Sequence, residues 1–64
     1  MLEQALLREQ FSQLLAKAQE AEQAYAGLIH AGVRDPHAAQ ELEQLLADKQ
    51  RHVRLAQRLL EIVE

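Results

Sequence analysis

Sixty-four residues with a formal net charge of −3 and no cysteine make one small domain at most. Disulfides and thiolate zinc sites are excluded, and the net charge gives no global attraction to nucleic acid or to an anionic membrane. A chain this short rarely buries enough apolar surface alone to offset its conformational entropy, so association with further helices is expected, with a histidine/carboxylate metal site as the outside alternative.

The N-terminal stretch from Met1 to Gln10 alternates charge with leucine and has no signal-peptide apolar core. No apolar run approaches the roughly 20 residues of a membrane span. A soluble, cytoplasmic protein without a membrane partner is the expectation. Alanine, leucine, glutamine and glutamate dominate, with Phe11 and Tyr25 the only aromatics; this composition favours helix over sheet.

A first helix is expected over about 2–31. Leu7, Phe11, Leu14, Ala18, Ala21, Tyr25 and Leu28 alternate spacings of four and three, a heptad seam. Leu15 and Ile29 widen the stripe, with Glu22 in their row. Gly27 lies in the helix interior at a cost of about 1 kcal/mol against alanine; either close approach of a neighbouring helix accounts for it or it is simply tolerated. The turn is expected at 32–35. Gly32 suits the left-handed position that ends a helix, and Val33 can fold back on the last turn. Asp35 reads as an N-cap with Pro36 at the first helical position. So short a connection forces antiparallel neighbours.

A second helix is expected over about 36–63. Its seam reads Ala38, Leu42, Leu45, Lys49, His52, Ala56, Leu59 and Val63, flanked by Ala39, Leu46, Val53 and Leu60, with Leu55 and Ile62 broadening the face. A two-stranded coiled coil needs two rows per helix; three rows imply more than one partner. The expected fold is all-α: a single antiparallel two-helix hairpin that associates into a four-helix bundle, as a homodimer or higher oligomer. The expected interface is Leu7, Phe11, Leu14, Ala18, Tyr25, Leu42, Leu45, Lys49, His52, Val53, Ala56, Leu59 and Leu60. The expected partner is a second copy, with a larger protein assembly left open.

Lys49 and His52 interrupt the leucines of the second seam. A polar seam residue most often sets register and oligomer state. The alternative is a metal site. Bundles hold iron or manganese with inward Glu residues and Glu-x-x-His pairs, and Lys49-Gln50-Arg51-His52 keeps that spacing and the histidine. Glu22 and Glu20 are the nearest candidate partners for His52.

The stretch Leu46-Ala47-Asp48-Lys49-Gln50-Arg51-His52-Val53, followed by Leu55, Leu59 and Leu60, resembles the metal-ligating helix of the ferritin-like superfamily, rubrerythrins and encapsulated ferritins above all. Tyr25 and the short turn fit that resemblance, which covers roughly residues 18–60. It implies half of a four-helix bundle completed by another chain. It also implies iron, or another divalent metal, bound or stored at the oligomer interface through His52 with Glu20 or Glu22, and ferroxidase-like chemistry if the protein is an enzyme. Lys49 and Ala18 stand where the family's ligand glutamates would fall. Flagellar-type export chaperones carry a comparable leucine–lysine pattern.

Arg51, Arg54 and Arg58 form a basic stripe that could serve an RNA-binding dimer. Asp48 and Glu61 flank the stripe and no aromatic interleaves it, so a solvated face is the expected reading. His30 and His37 read as surface residues. Ser12 and Tyr25 are the only hydroxyls, and no phosphate loop or nucleophile motif is present. Independent catalysis is therefore not expected, and neither is a cofactor. The leading expectation is a self-associating hairpin acting as a structural or interaction module.

Overall fold

The computed structural model describes residues 2–64. Two helices, α1 (Leu2–Ala31) and α2 (Pro36–Val63), make up the described chain. They end and begin where the backbone chemistry changes. Gly32 takes φ 92°, open to glycine and strained for other residues. Its N–H donates to the Ile29 carbonyl at 3.1 Å, satisfying an acceptor that the end of α1 leaves free. Asp35 is extended (φ −73°, ψ 118°), and its carboxylate accepts from the His37 N–H at 3.0 Å. Pro36 opens α2 with its ring preset for helix.

The helices lie antiparallel as a hairpin 51 Å long and 14 by 11 Å in section. The open end is fastened by side chains of α1. Gln4 Nε2 donates to the Val63 carbonyl at 2.9 Å and Arg8 Nη2 to the same oxygen at 3.3 Å. The last carbonyls of a helix have no partner of their own and carry the negative end of its dipole. A neutral and a cationic donor from the facing helix meet both needs.

The packing between the helices selects one of two possible seams. In α1 the half-buried residues are Phe11, Leu15, Ala18, Ala21, Glu22, Tyr25 and Ile29; Leu7, Leu14 and Leu28 are exposed. In α2, Ala38, Ala39, Leu42, Leu46, Lys49, Val53 and Leu60 are half-buried, Ala56 and Val63 are buried, and Leu45, His52 and Leu59 are exposed. The hairpin therefore closes on the rows of Leu15 and Ile29 in α1 and of Leu46, Val53 and Leu60 in α2. This corrects the sequence-based seam, which ran through Leu7, Leu14 and Leu28 and through Leu45, His52 and Leu59. The reason is visible at mid-length: closure on the other side of α2 would bury an ammonium and an imidazole in successive layers, a double desolvation without partners. The observed rotation keeps Lys49 and Glu22 half-buried in the seam and leaves His52 outside it. The close helix approach expected at Gly27 is also absent, since no atom lies within 4 Å of where its Cβ would stand.

One hairpin buries little. Among the described residues only Ala56 and Val63 are buried. The accessible surface is 5193 Å² for 7.3 kDa, against about 4,200 Å² for an ordinary monomer of that mass.

Candidate interaction face

Apart from Leu2 and Leu6 near the open end of α1, the leucines left outside the seam gather on one side. Leu14, Lys17, Ala18 and Ala21 of α1 and Lys49, His52, Leu55, Ala56 and Leu59 of α2 line a single groove of about 360 Å³ at mid-length. One heptad in either direction, Leu7 and Leu28 extend the α1 wall and Leu45 and Ile62 the α2 wall, on the same rows. Leu14 is 50% exposed, Leu28 53% and Ile62 76%. The opposite face carries Ser12, Gln19 and Gln23 from α1 and Glu43, Gln50 and Gln57 from α2, all exposed, with Leu2, in the row of Gln23, exposed at its open end. The hairpin thus has a closed seam, a mostly apolar face and a mostly polar one.

The polar residues of the groove are arranged differently from one another. Lys49 is half-buried, and its Nζ lies 5.9 Å from the centre of the Tyr25 ring. Helical side chains lean towards the N-terminus of their own helix, so Lys49 reaches along the seam towards the turn, where Tyr25 meets it. Its charge rests against an aromatic face instead of in the groove's centre. His52 is exposed, level with Leu14 across the groove.

The carboxylates proposed as companions of His52 lie elsewhere. Gln4 reaching Val63 and Ala18 lining the groove with Lys49 fix the register. That register sets Glu22 about two helical turns, roughly 10 Å, nearer the turn than His52. Glu22 is half-buried in the closed seam, while Glu20 is exposed. Among the described residues no three His, Cys, Asp or Glu side chains come together as a metal-binding group. A metal site using His52 would have to draw donors from a second chain.

Arg51, Arg54 and Arg58 are exposed on the side of α2 turned away from α1, as their spacing dictates. His30 and His37 are exposed beside the turn. Among the described residues no helix is long and apolar enough to cross a membrane. The residues that sequence reasoning passed over are Gln4 and Arg8, which fasten the open end, and Lys17, on the rim of the groove. The register of the antiparallel turn was the signal for Gln4 and Arg8; nothing local marked Lys17. Comparison with protein-family models, with curated proteins and with solved structures finds no match for this chain.

Proposed function

We propose that the protein is a self-associating helical hairpin, a non-catalytic structural or interaction module whose apolar face closes on a second copy to complete a four-helix bundle. One observation carries this reading: apart from Leu2 and Leu6 near the open end of α1, the leucines and isoleucine left exposed outside the hairpin seam fall on one face. The size of the deficit supports it. The single hairpin exposes about 1,000 Å² more than a compact monomer of its mass, comparable with the roughly 800 Å² that each partner buries in a stable complex. At about 25 cal/mol per Å² of apolar surface, covering even half of that area with apolar contacts amounts to roughly 12 kcal/mol before the cost of association, on the scale of the total stability of a small domain. Two hairpins stacked on their leucine faces leave a mostly polar surface outward, with Leu2 and Leu6 exposed near the open end, the geometry of a closed bundle.

The ferritin-like resemblance enters this reading as architecture, half a bundle awaiting its other half. Its metal chemistry does not enter. Lys49 puts a cation where that family's ligand glutamate would fall, and its ammonium rests against Tyr25. His52 on the open face serves instead as a polar layer within the contact between two copies.

Thermal unfolding followed by circular dichroism over a hundredfold range of protein concentration tests the reading. The melting temperature should rise with concentration, because folding and association are one equilibrium. A concentration-independent melt contradicts it. The same melt with iron, manganese or zinc should be unchanged; a rise with any of them would move His52 to a metal-binding role.

A further inference from the structure

We infer that the two copies meet with their turns at the same end, each α1 lying against the partner's α2, and that Lys17 and Asp48 specify this orientation by pairing across the interface. The inference rests on the self-association just proposed. Two leucine faces can stack about a twofold axis in only two ways: with the axis along the helices, turns together, or across them, turns at opposite ends. The apolar rows accept both. With turns together, Leu7 meets the partner's Leu59 and Ala21 the partner's Leu45. With turns apart, Leu14 meets the partner's Ala21 and Leu45 the partner's His52. Helix dipoles do not decide either, since facing helices run antiparallel in both arrangements.

The charges on the rim do decide. Lys17 is exposed on the α1 wall of the groove. Asp48 is exposed and stands one heptad before Leu55, a lining residue of the α2 wall. The hairpin register sets Lys17 and Asp48 within about two residues of the same level, roughly 3 Å along the axis. With turns together, Lys17 faces the partner's Asp48, and symmetry makes this two attractive pairs. With turns apart, Lys17 meets the partner's Lys17 on one rim and Asp48 meets the partner's Asp48 on the other. Exposed pairs are individually weak, but the two arrangements differ by two pairs of each sign, which favours the first by about tenfold.

The test uses the full chain, which has no cysteine of its own. A nitroxide on Arg34→Cys, exposed in the turn, reports the distance between the two turns. A distance of about 10–20 Å is expected, set by the 8–10 Å spacing of packed helices. A distance near the 51 Å length of the hairpin overturns the orientation while leaving the dimer intact. A single-chain mass with no label–label coupling overturns the self-association beneath it. Charge reversal gives a second arm. Asp48→Lys should weaken association about tenfold, and Lys17→Glu in the same chain should restore it. If Asp48→Lys leaves association unchanged, as it would with like charges already facing, the inference is wrong.

Discussion

The Nζ of Lys49 rests 5.9 Å from the centre of the Tyr25 ring, so a cation half-buried in the hairpin seam is matched by an aromatic of α1. The contact explains how an ammonium is tolerated among Leu46, Val53 and Ala56. The charge leaves the apolar layer along its own aliphatic stem and ends on a π-face.

A double-mutant cycle checks that contact. Lys49→Met and Tyr25→Leu should show a coupling of about 0.5–1 kcal/mol in unfolding free energy. Lys49→Leu alone should leave the assembled protein as stable as before or more so, because it removes a partly desolvated charge. A large loss of stability on Lys49→Leu would mean that the ammonium makes an interaction beyond the Tyr25 ring.

Gly27 should be replaceable with profit. It lies inside α1 on the side turned away from both the seam and the leucine face, with nothing near its Cβ position. Gly27→Ala should raise stability by about 0.5–1 kcal/mol, measured by chemical denaturation at fixed protein concentration. A loss would place a packed neighbour against that side of α1.

The turn should respond in the opposite sense. Gly32→Ala forces a φ of 92° on a residue with a Cβ and should lower stability by about 1–2 kcal/mol, although the space around it is open. Asp35→Ala removes the acceptor of the His37 N–H and should lower it by about 1 kcal/mol, with Asp35→Ser largely rescuing it.

The turn was legible in the sequence because its signals are local. Gly32, Asp35 and Pro36 each act through their own backbone, so their meaning does not wait on the rest of the fold. The seam was harder to read. The row of Phe11, Ala18 and Tyr25 is flanked on one side by Leu7, Leu14 and Leu28 and on the other by Leu15, Glu22 and Ile29. Periodicity gives both sides as apolar. Which one closes depends on α2, where Val53 on one side and His52 on the other differ in what burial costs, and only the two helices taken together decide. The width of the stripe was legible in the sequence; the assignment of rows to seam and open face needed the structure.

The leucine face itself is open to direct disruption. Leu14→Glu places a carboxylate in the middle of the groove, near Ala18, Leu55 and Leu59. Association should weaken by at least a hundredfold, since a buried unpaired charge costs several kcal/mol. Gln19→Glu, on the polar face, is the control and should leave it unchanged. Equal behaviour of the two variants in sedimentation would show that the leucine face is not the contact surface.

Sedimentation equilibrium of the unmodified chain at micromolar concentration tests the central claim most directly. The account predicts a mass of at least twice the 7.3 kDa of one chain, together with full helicity. A single-chain mass accompanied by cooperative, reversible unfolding would contradict it, because it would mean that one hairpin is stable with its leucines in water.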